Sequence, residues 1–110
     1  MTGTMQRSLA LMKKEGYLVA IAEHFNPWGR VRVDLFGFID ICAIKPEVNG
    51  VVAVQTTSKS NVSARLTKIL PKKEVKVWLQ AGNDIEIHGW VKKKGRWEVD
   101  RRQIKMEDLL

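Results

Sequence analysis

The stretch Asp34–Lys59, DLFGFIDICAIKPEVNGVVAVQTTSK, decides how this chain is read. It holds two apolar segments joined by a polar turn, and each segment has one polar interruption. In Phe38-Ile39-Asp40-Ile41-Cys42-Ala43-Ile44 only Asp40 is polar, and in Val51-Val52-Ala53-Val54-Gln55-Thr56-Thr57 the apolar run breaks at Gln55. Both read as strands, and the linker Lys45-Pro46-Glu47-Val48-Asn49-Gly50 ends in the Asn-Gly hairpin signal. Alternation puts Phe38, Asp40, Cys42 and Ile44 on one face. It groups Val51, Ala53, Gln55, Thr57 and, if the strand runs on, Lys59 in the same way. Pairing Ile44 with Val51 sets Asp40 opposite Gln55, with Cβ atoms about 5 Å apart. That is close enough for the two to share a small cation. A buried carboxylate needs such a partner, whether a metal or a basic side chain.

Outward from this stretch, Met5, Leu9 and Met12 predict an amphipathic helix over Thr4–Glu15, with Thr4 as N-cap and Gly16 as stop. Tyr17–Ala22 reads as a strand buried on both faces, ending in Glu23. HFNPWGRVR, residues 24–32, carries Asn-Pro and Gly and reads as a loop. Its Trp28, flanked by Arg30 and Arg32, has two readings: a cover for the core edge, or a platform for a nucleic-acid base. Gly37 marks a bend or bulge. Beyond Lys59, Ser60-Asn61 caps a helix carrying Val62, Leu66 and Ile69. A second helix spans 72–81, and strands follow at Ile85–Val91 and Arg96–Asp100. His88 alternates with Glu86 and Trp90, so it reads as a strand-surface residue. The order of elements predicts one α/β domain over 1–110, with a mixed sheet flanked by helices.

The chain has 19 Lys and Arg against 12 Asp and Glu, a net charge of +7. This balance points to a polyanionic partner, usually nucleic acid, against the bland reading of a solvated surface. The charge is clustered at Arg65 and Lys68, at Lys72 and Lys73, and at Lys92, Lys93, Lys94 and Arg96. The single cysteine, Cys42, excludes an intrachain disulfide and suggests a reducing compartment, hence a cytoplasmic protein. No segment has the length and apolarity of a membrane span, and no Gly-rich phosphate loop suggests a nucleotide cofactor.

A helix, a strand, an Asp-bearing strand, a turn and a strand with polar residues two apart resembles the PD-(D/E)xK nuclease core. The chain looks most like the small Holliday junction resolvases of archaeal type and their phage-encoded relatives. Gly16-Tyr17, Ile39-Asp40-Ile41 and Val54-Gln55-Thr56-Thr57 carry the resemblance, over residues 4–91. It implies a restriction-endonuclease-like fold, Mg²⁺ with Mn²⁺ as a substitute, branched DNA as partner and a homodimer. Location in the host cytoplasm follows if the chain is phage-encoded. Asp40, Gln55, Asp34 and Glu23 then become the metal ligands, and Asp40, Gln55, Lys59 and Glu23 the catalytic set. Gln55 stands where the family has Glu, and Thr57 where it has Lys. Lys59, two residues further along the same face, would restore the missing positive charge. Arg30, Arg32, Arg65, Lys68, Lys72, Lys73, Lys92, Lys93, Lys94 and Arg96 become the DNA-binding surface, with Trp90 and Trp97 at the dimer interface. A general restriction or repair nuclease, or a non-catalytic DNA-binding module of the same fold, is the alternative. Each site residue also has a purely structural reading: Asp34 as a turn residue, Glu23 as a partner of Arg30 or Arg32, Gln55 as a core amide, Lys59 as a solvated charge.

Overall fold

The computed structural model describes residues 3–109, with the side chain of Arg32 excluded. Helix α1 (Thr4–Lys14) leads into β1 (Leu18–Ile21), followed by a small hairpin of β2 (His24–Asn26) and β3 (Val31–Val33). Strands β4 (Ile41–Ile44) and β5 (Val52–Ser58) come next, then a 3₁₀ turn (Lys59–Asn61) and helices α2 (Val62–Ile69) and α3 (Lys73–Gln80). Strands β6 (Asp84–Lys93) and β7 (Arg96–Ile104) close the fold, before a last 3₁₀ turn at Met106–Leu109. The main sheet has the order β1-β4-β5-β6-β7, all pairs antiparallel except β5 with β6. The result is a mixed α/β fold. The parallel pair requires a crossover, which α2 and α3 supply.

Strand β5 is the centre of the molecule, and every residue from Val52 to Thr57 is buried. Its even-numbered side chains face α1, where Val52 and Val54 pack with Ile41, Ala43, Leu9 and Met12. Its odd-numbered ones face α2 and α3, where Ala53 joins Val62, Ile69, Val75, Ile85 and Ile87. At Gly89 the 3₁₀ turn and α2 press onto the sheet. A methyl group there would lie 2.4 Å from Val62 Cγ2 and 3.0 Å from Lys59 Cα, so only glycine fits.

Several expectations are corrected. β1 is an edge strand, and Leu18 and Ile21 are exposed, so its apolar run is not sandwiched. Residues 24–33 form a hairpin rather than an irregular loop. Gly3, not Thr4, is the helix N-cap, and Thr4 Oγ1 instead meets Thr56 Oγ1 at 3.3 Å.

His88 is fully buried, because α1 covers its face of β6. Its Nε2 lies 2.9 Å from Glu86 Oε1 and its Nδ1 2.8 Å from Ser8 Oγ, which also accepts the Trp90 indole N–H at 2.9 Å. Arg101 completes this bolt by donating to both Glu86 and Glu15. Burial pushes the Glu86 carboxyl up, but its hydrogen bonds to His88 and Arg101 outweigh that and hold it below the usual range. Trp90 is therefore a core residue and not the open apolar surface expected of a dimer contact, whereas Trp97 stays 44 % exposed with the Arg7 guanidinium 3.5 Å over its ring. Among the described residues no helix is long and apolar enough to cross a membrane.

Candidate metal centre

Three carboxylates converge at the open end of β4. The strand begins at Ile41, so Asp40 sits in the bend just before it. Its backbone is held on both sides: Asp40 N–H donates to Val54 O at 3.0 Å, and Asp40 O accepts from Ala22 N–H at 2.8 Å. The first bond sets Asp40 against Val54, already the partner of Ile41, so the β4–β5 ladder bulges here and Asp40 leaves the register that would face it with Gln55. The second continues the β1–β4 ladder and draws Glu23, the next residue after Ala22, to the same end.

Asp34 arrives by a different route. The chain reverses through a tight turn, with Phe38 N–H donating to Leu35 O at 3.2 Å and Leu35 bridging Ile39. Phe36 and Gly37 at its centre both have positive φ, of 55° and 79°. This is the sign pattern of a primed turn, unstrained for the glycine and costly for the phenylalanine. The turn folds Asp34 back toward Asp40.

One oxygen each of Glu23, Asp34 and Asp40 lies within 4.8 Å of the others. The carboxylates line a cavity of about 240 Å³ together with Thr4, Met5, Thr56 and Arg65. Asp40 Oδ2 accepts the Thr56 backbone N–H at 2.8 Å. Burial, a hydrogen bond with Asp34 and the nearby charges of Asp34 and Glu23 raise its pKa from 3.8 to about 8, against the lowering effect of the Thr56 N–H. Carboxyl groups this close need a proton or a cation between them. The donor set is all oxygen, which suits a hard divalent ion.

Gln55 stands behind this group and outside the cavity wall. Its Nε2 donates to Asp34 Oδ2 at 3.4 Å. Its Oε1, fully buried, has no hydrogen-bond partner among the described residues. The structure thus places Gln55 as a support for Asp34 rather than beside Asp40.

Lys59 is not brought to the site. β5 ends at Ser58, and the 3₁₀ turn carries Lys59 into a separate cleft lined by Val91, Lys93, Glu98, Val99, Asp100 and Arg102. Thr57 is buried. Among the described residues, the cation that lines the cavity with the carboxylates is Arg65 of α2, half-buried and without an ion pair there. Sequence reasoning placed Arg65 on a DNA surface; only the docking of α2 puts it in the cavity.

The other basic residues occupy three places. Lys68 is exposed on α2, Lys72 and Lys73 stand at the start of α3, and Lys92, Lys93, Lys94 and Arg96 crowd the β6–β7 turn. Arg30 is exposed on the β2–β3 turn, and the side chain of Arg32 lies outside the described residues. Compared with protein-family models, curated proteins and solved structures, the chain matches none.

Proposed function

We propose that this chain is a Mg²⁺-dependent endodeoxyribonuclease of restriction-endonuclease-like fold, acting on branched DNA such as four-way junctions. The convergence of Glu23, Asp34 and Asp40 beside Arg65 carries this reading. The three carboxylates would hold the ion, with Mn²⁺ as an equivalent. Bound Mg²⁺ supplies an activated water and neutralises charge on the phosphoryl oxygens. Arg65 binds the phosphate through its guanidinium fork, the role that Lys59 is too remote to fill. Thr56 N–H fixes the Asp40 carboxylate, and Gln55 Nε2 fixes that of Asp34. The basic helix and turn residues grip neighbouring phosphates, which positions DNA without reading its sequence.

A four-way junction has approximate two-fold symmetry, so the active unit is taken as a homodimer. The open edge of β1 supports this, since Leu18–Ile21 is an uncharged, apolar edge, whereas β7 at the other edge is rich in charge. One observation favours a non-catalytic DNA-binding module instead: buried Thr57 stands where the resembled family carries lysine.

The test is cleavage of a synthetic four-way junction by wild type and Asp40→Ala in Mg²⁺ and in Mn²⁺. The expected result is Asp40-dependent cutting. Junction binding without cutting would favour the module, equal cutting of linear duplex would point to a general nuclease, and the absence of salt-sensitive DNA binding would defeat every one of these readings.

A further inference from the structure

We infer that the β2–β3 hairpin is a stacking wedge, and that Trp28 at its tip binds the exposed base at a branch point in DNA. The inference rests on the nuclease reading and adds to it a determinant of substrate structure. Of the two roles open to Trp28 from sequence, the structure removes one. The ring is 96 % exposed, so it covers no core. Nor does it hang on a slack loop. Asn26 Oδ1 accepts the backbone N–H of Trp28 at 3.0 Å and that of Gly29 at 3.4 Å, and Arg30 completes the reversal with a φ of 53°. The paired strands below hold the turn in place.

Its position in the chain ties the hairpin to the site. Glu23 immediately precedes β2 and Asp34 immediately follows β3, so the hairpin is the chain's excursion between two of the three carboxylates. Three residues of strand span about 10 Å, which is about three base-pair rises along a duplex strand. A phosphate held at Arg65 and the carboxylates therefore places Trp28 a few nucleotides away. Exposed Arg30, two residues from Trp28 on the same turn, favours a polyanionic occupant.

Within continuous duplex both faces of every base are already stacked, so a projecting indole finds nothing to cover. At a branch point the stack is interrupted and a base face is open. Stacking on any base face is tolerant of sequence, so the wedge selects DNA shape rather than letters.

The experiment uses the full chain as wild type, Trp28→Ala and Trp28→Phe, with a fluorescein-labelled four-way junction and a linear duplex of matching arm sequence, in EDTA. Anisotropy gives both affinities, and 2-aminopurine at the branch point reports stacking. The expected result is a loss of junction affinity of about 10- to 100-fold for Trp28→Ala. Duplex affinity stays unchanged, Phe restores most of the loss, and 2-aminopurine is quenched by wild type alone. Junction affinity equal to wild type in Trp28→Ala would overturn the wedge. So would a change of oligomeric state in sedimentation without selective loss of junction binding, which would make the hairpin a contact between copies. Trp28-dependent junction binding by a protein that never cuts supports the wedge while refuting the nuclease, and a wild type that binds neither DNA refutes both.

Discussion

Metal-free Asp40→Asn protein should be more stable than wild type at pH 8, and the difference should vanish toward pH 4. Folding raises the Asp40 pKa from 3.8 to about 8, mainly through burial, with Asp34 and Glu23 adding to it. Between those values the folded chain keeps a proton that the unfolded chain releases. Stability from this group is therefore complete below pH 3.8 and is lost as pH rises toward 8. About four pKa units at roughly 1.36 kcal/mol each put the loss on the order of 5 kcal/mol. For a domain whose total stability is about 5–15 kcal/mol, that is a large share. Asparagine mimics the protonated acid: its carbonyl can keep the Thr56 N–H, and its amide can donate to Asp34. Urea unfolding of both proteins in EDTA at pH 5, 6.5 and 8 measures the effect. Unfolding free energies that run parallel across this range would refute the reasoning. Saturating Mg²⁺ should return stability to wild type at pH 8 and much less to the variant, because an ion that binds only the folded state stabilises it.

Other consequences are as direct. Lys59→Ala should leave junction cleavage within about 2-fold of wild type, whereas Arg65→Ala should lower kcat by 100-fold or more, roughly 3 kcal/mol of lost charge stabilisation; single-turnover kinetics separates the two. His88→Ala should cost about 2–4 kcal/mol in urea unfolding, since it opens a cavity and leaves Ser8 and Glu86 short of a buried partner. A lysine at Ile21, on the open edge of β1, should shift a dimer to monomer in analytical ultracentrifugation while leaving Mn²⁺ binding intact.

The register of the central hairpin was legible in the sequence. Pairing Ile44 with Val51 is the same ladder as the observed Ile41 with Val54, because alternation beside an Asn-Gly turn leaves one register that buries both apolar faces, but the ladder breaks at Asp40, whose N–H joins Val54. The first helix was legible for the same reason, as its period and its stop at Gly16 agree. The candidate site was legible only in part. Asp40, Asp34 and Glu23 stood out as acids, but their meeting depends on the β1–β4 pairing, which leaves no local pattern, and on the Phe36–Gly37 turn, of which Gly37 signalled the bend but not its direction. Lys59 was misplaced because it opens the 3₁₀ turn Lys59–Asn61, which ends the strand at Ser58. His88 was misread because alternation separates two faces without saying which one a distant helix will cover, and Ser8 of α1 lies 80 residues away. The apolar run of β1 misled in the opposite sense, since an apolar edge strand has the same composition as a buried one.

Gly89 contributes no atom to the acidic cavity, yet it gauges the cavity's width. The contact it permits with Val62 seats α2 against the sheet, and Arg65 lies one turn further along that helix. The reach of the guanidinium toward the carboxylates is thus inherited from a missing side chain on the far strand β6. A methyl group at Gly89 would act as a shim, lifting α2 bodily and carrying Arg65 away from the acidic cavity while all three carboxylates stayed in place. If the proposed nuclease reading holds, the centre would still take a metal and yet bind DNA more weakly, two properties separated by one residue outside the site.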